Sequence, residues 1–180
     1  MRQDVERDWR DSQRYMPHVT EILRSLAHHI INIEIADEEA DMKRATDVVI
    51  RVTGGDIGLR ARKASCGFRD FTLRSARPSG VRTELQKVRD DGYMDWFLYG
   101  WGDGIAKLTD WGFIGMASLR ASGLLDDIEG SSREHRNNDG TKFVQYSLLE
   151  LNQNRCLIDS SYQRAGTPLP GQRPVIPSLW

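Results

Sequence analysis

Apolar and polar residues alternate along two neighbouring stretches in the first half of the chain. The stretches Asp47–Thr53 and Ile57–Lys63 both have the alternation of strands with one buried face, and Gly54, Gly55 and Asp56 lie between them. A double-glycine turn between two alternating runs is a typical signal of a β-hairpin. The pattern therefore predicts two antiparallel strands joined by this turn.

Three further elements are predicted directly after the hairpin. Phe71–Arg74 has the composition of a short strand, Arg82–Arg89 has apolar residues at helical spacing, and Met94–Tyr99 is a strongly aromatic run. An apolar run of this length is typical of a central strand that is buried on both faces. The order in this part of the chain is therefore strand, strand, strand, helix, strand.

The stretches on either side of this region add further helices and strands. Apolar residues recur at three- and four-residue steps through Val5–His29, which predicts a long N-terminal helix. Pro17 lies inside it, so the helix either kinks there or restarts with Pro17 in its first turn. Strands are also predicted at Ile30–Ile35 and within residues 105–116 and 142–147.

The length and composition indicate one domain followed by a tail. A chain of 180 residues can bury a core of its own, so residues 1–162 are expected to form a single α/β domain. Residues 163–180 contain four of the six prolines, a composition typical of an extended segment with little order of its own.

Several features predict a cytoplasmic protein without membrane contacts. No stretch approaches the roughly 20 apolar residues of a membrane helix, and the first residues lack the apolar core of a signal peptide. The two cysteines, Cys66 and Cys156, are far apart, and neither has a second ligand at the spacing of a zinc site. Two isolated thiols are typical of a reducing compartment.

Positive charge is concentrated in one part of a nearly neutral chain. The formal net charge is -1, yet residues 60–89 contain nine basic and only two acidic residues. Such a local basic field is the electrostatic signature of a nucleic-acid site, although an arginine-rich face exposed to water has the same composition. The basic residues of this stretch are Arg60, Arg62, Lys63, Arg69, Arg74, Arg77, Arg82, Lys87 and Arg89.

The order of elements over Val5–Trp101, with Asp47 at the start of one hairpin strand, resembles the PD-(D/E)XK nuclease superfamily. The resemblance implies a restriction-endonuclease-like fold, in which helices flank a mixed central sheet, and Mg2+-dependent cleavage of DNA. The chain is also similar to phage and prophage proteins with runs like Ala45–Asp47, Phe71–Ser75, Thr83–Lys87 and Asp95–Gly100.

The catalytic pattern of this superfamily is only partly present. Its members hold Mg2+ against the scissile phosphate with an aspartate and a second carboxylate, while a lysine orients the attacking water. Asp47 corresponds to the aspartate. The next strand, however, has Arg60, Ala61 and Arg62 where the acid-x-lysine motif belongs, and arginine cannot ligate a metal.

The resemblance then implies a site whose missing groups have moved to the following helix. Asp47 and Glu84 would be the metal ligands, and Lys87 would lie beside the attacking water. Glu84 and Lys87 are three residues apart, so they share one face of a helix. The alternative is that these two residues form an ordinary exposed pair and that Asp47 caps or ends a strand.

A binding function without catalysis gives the same stretch another role. Guanidinium groups suit phosphate oxygens, so the basic residues are candidates for contacts with a nucleic-acid backbone. The aromatic run at residues 96–101 would either stack on bases or, as alternation along a central strand favours, form core. The candidate nucleic-acid-binding residues are Arg60, Arg62, Lys63, Arg74 and Arg82.

DNA is therefore the expected partner, with Mg2+ as a cofactor if the protein cleaves it. The alternative function is that of a catalytically inactive protein that binds a host or phage protein. A homodimer is compatible with either function.

Overall fold

Two β-sheets and five helices make up the described part of the structure. The computed structural model describes residues 13–26, 33–35, 48–50, 55–63, 65, 67–90 and 93–171. Its elements are α1 (Met16–Leu26), β1 (Ile33–Ile35), β2 (Val48–Ile50), β3 (Gly55–Lys63), β4 (Asp70–Ala76), α2 (Glu84–Arg89), β5 (Trp96–Gly102), β6 (Leu108–Gly115), α3 (Met116–Ala121), β7 (Glu134–Arg136), β8 (Lys142–Ser147), α4 (Leu148–Gln153), β9 (Leu157–Ser160) and α5 (Ser161–Arg164).

The larger sheet has six strands in the order β1, β2, β3, β5, β6, β9. β2 and β3 pair antiparallel, with Ile50 opposite Gly55, as the hairpin pattern predicts. β3 and β5 are parallel, while the other neighbours are antiparallel. A mixed sheet flanked by helices confirms the predicted α/β fold class.

The third predicted strand does not join this sheet. β4 pairs antiparallel with β8, and β8 pairs with β7, in a separate three-stranded sheet. The chain thus leaves the larger sheet after β3, passes through β4 and α2, and returns as β5 beside β3. This excursion brings β4 close to β3 without a ladder between them.

Successive side chains of β5 point into two separate cores. Leu98 packs with Ile57 and the apolar face of α1 on one side of the larger sheet. Phe97 and Tyr99 pack on the other side with Phe71 and residues of the second sheet and of α2, α3 and α4. The predicted burial of β5 on both faces is confirmed.

α1 is the described part of the predicted N-terminal helix. Pro17 is its second residue, so the proline lies in the first turn, where no backbone donor is required. Val19, Ile22 and Leu23 form its buried stripe. No helix in the described ranges is both long and apolar enough to cross a membrane.

The proline-rich segment from residue 163 is described as far as residue 171. Gln163 and Arg164 belong to α5, and Leu169 is buried in the larger core. Residues 172–180 lie outside the described part of the chain.

Candidate functional site

A polar cavity of about 140 Å³ lies where β3 approaches the second sheet. Alternate residues of β3 and of β4 turn toward it, and the β7–β8 turn closes one side. Phe143 lies directly opposite Arg74 in the pairing of β4 with β8. The cavity is lined by Arg60, Arg62, Thr72, Arg74, Asn137, Thr141, Lys142 and Phe143.

A buried ion pair forms one wall of this cavity. The Arg60 guanidinium donates to Oε1 of Glu84 and also, at 3.3 Å, to the carbonyl of Thr72. Oε2 of Glu84 accepts the backbone N–H of Arg74 at 2.9 Å. The Glu84 side chain is only 8% exposed, against 28% for Arg60. Both carboxylate oxygens therefore have donors of their own.

This pairing fixes the ionisation of Glu84. Burial raises the pKa of its carboxyl, but the Arg60 charge and the Arg74 N–H outweigh burial and hold the pKa below its usual range. Burial likewise opposes the charge on Arg60, yet Glu84 raises the Arg60 pKa above its usual value. The pair is ionised at neutral pH.

A helix cap positions Glu84 beside β3 and β4. α2 begins at Glu84, and Thr83 is its N-cap. The Thr83 hydroxyl accepts the backbone N–H of Gln86 at 3.3 Å, while the Gln86 side chain accepts the N–H of Thr83 at 2.8 Å. This capping box satisfies two backbone donors and fixes the first turn, from which Glu84 reaches the cavity wall.

Arg62 is held by hydroxyl groups instead of a carboxylate. Its Nε donates to the Tyr99 hydroxyl, and an Nη atom donates to Oγ1 of Thr72 at 2.7 Å. The Thr72 and Tyr99 hydroxyls also bond to each other at 3.0 Å. The guanidinium carbon lies 5.6 Å from the centre of the Tyr99 ring, within the range of a cation–π contact. These contacts orient the Arg62 charge but do not neutralise it.

The four cations of the cavity differ in how they are compensated. Arg60 pairs with Glu84, and Lys142 pairs with Glu134 at 2.9 Å. Within the described ranges, no carboxylate lies at ion-pair distance from Arg62 or Arg74. The cavity thus has two positive charges that are not neutralised by contact.

Carboxylates at longer range modify this balance without cancelling it. Burial raises the pKa of Asp70, against the opposing effects of its bond to Gln145 and the Arg62 charge. Hydrogen bonds from Thr141 lower the pKa of Asp139, helped by the Arg74 charge.

Crowding of positive charge is evident at Arg77, next to the cavity wall. Burial and the Arg74 charge lower the pKa of its guanidinium, Glu84 opposes this shift, and the Arg60 charge adds to it. Several arginines thus lie close together here, which is a property expected of a site for anions.

The structure brings together three of the five predicted nucleic-acid-binding residues. Arg60, Arg62 and Arg74 line the cavity, whereas Lys63 is exposed at the end of β3 and does not line it. Arg82 is half exposed and pairs with Asp90, also away from the cavity. Contacts of all five with nucleic acid stay a prediction.

The predicted metal site is only partly within the described ranges. Asp47 lies outside them, so its sharing of an ion with Glu84 stays a prediction. Lys87 is half-buried on α2. The described residues contain no group of three or more His, Cys, Asp or Glu side chains that could hold a metal. Glu84 is paired with the Arg60 guanidinium in the described structure, and its role as a magnesium ligand stays a prediction.

Several residues of the cavity have no signal in the local sequence. Thr72 and Tyr99 are buried partners of Arg62. Lys142 and Phe143 come from a strand about 70 positions after β4. Phe143 also stacks on His135, with 5.4 Å between ring centres and an angle of 29° between the planes. This pair is accessible beside the cavity, whereas Tyr99 and Trp101 of the aromatic run are fully buried.

Comparisons with protein-family models, with curated proteins and with solved structures give no match to this chain.

Proposed function

We propose that the protein binds nucleic acid and places one phosphate group in the cavity. The observation that carries the proposal is that Arg62 and Arg74 face a hydroxyl-lined cavity, and that none of the carboxylates in the described part of the chain contacts either guanidinium. Guanidinium groups form short, charge-assisted and often bidentate hydrogen bonds with phosphate oxygens. An uncompensated pair of them therefore favours a phosphate over a neutral ligand.

The size of the cavity supports a single group as its occupant. Its volume of about 140 Å³ is below the roughly 300–1,000 Å³ of pockets that enclose small molecules. A phosphate would enter the cavity, while the rest of the ligand would lie along the surface outside. A nucleic-acid strand has this form, because its charge is divided into phosphate groups along an extended chain.

The pairing of Glu84 with Arg60 supports binding over Mg2+-dependent cleavage. A Mg2+-dependent nuclease with Asp47 and Glu84 as its metal ligands needs a free Glu84 carboxylate, whereas a binding protein needs Glu84 only to hold Arg60 in place. The competing function is recognition of an acidic surface on a host or phage protein, which would use the same uncompensated charges.

Salt dependence tests the proposal directly. The protein should bind duplex, single-stranded or branched DNA at low salt, and log K should fall against log salt with a slope of about -0.9 for each duplex phosphate neutralised. Fluorescence anisotropy at two or more salt concentrations measures both quantities. If none of these nucleic acids binds at 50 mM salt, the protein-binding alternative takes the place of this proposal.

The aromatic pair beside the cavity gives a further expected result. A base next to the bound phosphate can stack on His135 and Phe143, and such stacking contributes about 1–3 kcal/mol per base. Phe143→Leu should therefore lower the affinity for single-stranded DNA by at least about fivefold and leave the affinity for duplex DNA nearly unchanged. Phe68→Leu is the matched control, because Phe68 is 71% exposed and does not line the cavity. Equal effects of both substitutions would contradict a stacking role for Phe143.

A further inference from the structure

We infer that the preferred occupant of the cavity is a terminal phosphomonoester of a nucleic-acid strand, more than a phosphodiester within the strand. The inference rests on the proposed function, which it narrows to a class of strand end. It comes from the charge balance and the size of the cavity, taken together.

Charge balance favours a dianion. Glu84 and Glu134 compensate Arg60 and Lys142, which leaves the charges of Arg62 and Arg74. A phosphomonoester carries about -1.5 to -2 at neutral pH, whereas each backbone diester carries a single negative charge. Among the described residues, these two cations have no carboxylate in contact, and Asp70 and Asp139 act on them only at longer range. Two such cations match the charge of a monoester more closely than that of a diester.

The shape of the ligand favours the same group. A monoester has one substituent and three free oxygens, whereas a diester brings a sugar on each side. The buried Thr72 and Tyr99 hydroxyls close the cavity behind Arg62, and the β7–β8 turn with Asn137 and Thr141 borders it. A small, partly open cavity of about 140 Å³ accommodates a terminal group with one substituent more readily than a group with a sugar on each side.

The ionisation of the ligand gives a test that distinguishes a bound phosphomonoester from general electrostatic attraction to DNA, because only the affinity for the monoester should follow the second ionisation of that group. The second pKa of a phosphomonoester is about 6, so the monoester gains its second charge between pH 5.5 and 7.5. Arginine side chains are not deprotonated in proteins, and Glu84, Glu134 and Asp139 stay ionised over this range because their pKa values are lowered. Burial raises the pKa of Asp70, and any ionisation of Asp70 with rising pH would add negative charge and oppose the expected trend.

His135 is a further ionisable side chain beside the cavity, where it stacks on Phe143. Because a histidine side chain can only lose positive charge as the pH rises, it cannot produce a preference for an anion that grows with pH.

The experiment compares one labelled oligonucleotide in three forms, 5′-phosphorylated, 3′-phosphorylated and unphosphorylated, and adds inorganic phosphate as a competitor of the phosphorylated strands. We expect one phosphorylated end to bind about tenfold more tightly than the unphosphorylated strand at pH 7.5. The advantage should shrink toward pH 5.5. Inorganic phosphate should weaken the binding of the phosphorylated strand more than a phosphate-free buffer of equal ionic strength does.

Arg74→Ala should remove the advantage of the phosphorylated end, and Arg24→Ala should keep it. Both substitutions delete one arginine charge, but Arg74 lines the cavity whereas Arg24 is exposed on α1.

Three outcomes would overturn the inference, and they have different meanings. Equal affinities of all strands, with a normal salt slope, would overturn the monoester preference and leave nucleic-acid binding intact. An advantage that is independent of pH, or that persists in Arg74→Ala, would place the terminal phosphate elsewhere. A phosphoserine peptide that binds more tightly than the phosphorylated strand would move both proposals to a protein ligand.

Discussion

Replacing Glu84 by glutamine should lower the free energy of unfolding by about 3 kcal/mol at neutral pH. Removal of one partner from a buried ion pair costs about 3–5 kcal/mol, because the other charge is left without compensation. Glutamine keeps the shape of the side chain and can still accept the N–H of Arg74. Arg60 also retains contact with water at 28% exposure, so the lower end of this range is expected.

The pH dependence of this loss has a defined sign. Because the folded-state pKa of Glu84 is lowered, its carboxylate stabilises the native state above its unfolded pKa of about 4.3. That stabilisation is lost as the pH falls through the folded-state pKa. The difference between wild type and Glu84→Gln should therefore be full at pH 7 and shrink below about pH 4.

Urea unfolding at pH 7 and below about pH 4 measures the effect, with Glu150→Gln as the matched control. Glu150 pairs with Arg133 at 2.6 Å, but the two side chains are 26% and 38% exposed. A pair with that exposure contributes about 0–1 kcal/mol. Similar losses for the two glutamine variants would contradict the buried character of the Glu84 pair.

The same variant separates the two roles considered for Glu84. If Glu84 acts as the partner of Arg60, the glutamine variant leaves the Arg60 charge without its counter-ion, so the affinity for DNA should rise in protein that remains folded. As a metal ligand with Asp47, its replacement would instead abolish Mg2+-dependent cleavage. Gel assays of DNA with Mg2+, Mn2+ or Ca2+, on preparations free of contaminating nuclease, distinguish these results.

Local features of the sequence predict the elements that lie close together in the chain. The β2–β3 hairpin follows from its double glycine and alternating runs, and α2 follows from the helical spacing of apolar residues in Arg82–Arg89. The burial of β5 on both faces follows from its unbroken apolar run. Each of these depends on interactions within a short segment, so its signal is present in one stretch of residues.

The second sheet and the cavity depend on contacts between distant segments. β4 pairs with a strand about 70 residues later, and nothing in the run Phe71–Arg74 distinguishes that partner from β3. The partnership of Arg60 with Glu84 likewise joins a strand to a helix through the tertiary fold. For the same reason, the sequence alone gives Arg74 and Arg82 equal standing, although only Arg74 faces the cavity.

The double variant Arg62→Ala/Arg74→Ala should lower the affinity for DNA by about two orders of magnitude at low salt. Hydrogen bonds to charged groups contribute about 1.5–3 kcal/mol each, and 1.4 kcal/mol corresponds to a tenfold change in affinity. The duplex salt slope should also become less steep by about 0.9, the value for the one phosphate that the cavity is proposed to hold.

This pair of arginines can be removed with little effect on the fold, which is not true of Arg60. After Arg62 is truncated, the Thr72 and Tyr99 hydroxyls still bond to each other at 3.0 Å. The bond from Arg74 to Glu84 comes from the backbone N–H, which alanine retains. Truncation of Arg60 would instead leave the Glu84 carboxylate buried without its counter-ion.

The control is Arg24→Ala/Lys107→Ala, which removes the same number of positive charges from exposed positions outside the cavity. Arg24 lies on α1, which packs against the opposite face of the larger sheet. If binding depends on the cavity, this control should lower the affinity for DNA by no more than about threefold, since salt screens the field of exposed charges. Equal losses in the two double variants would show that DNA responds to the net charge of the protein, and the cavity would then have no specific part in binding.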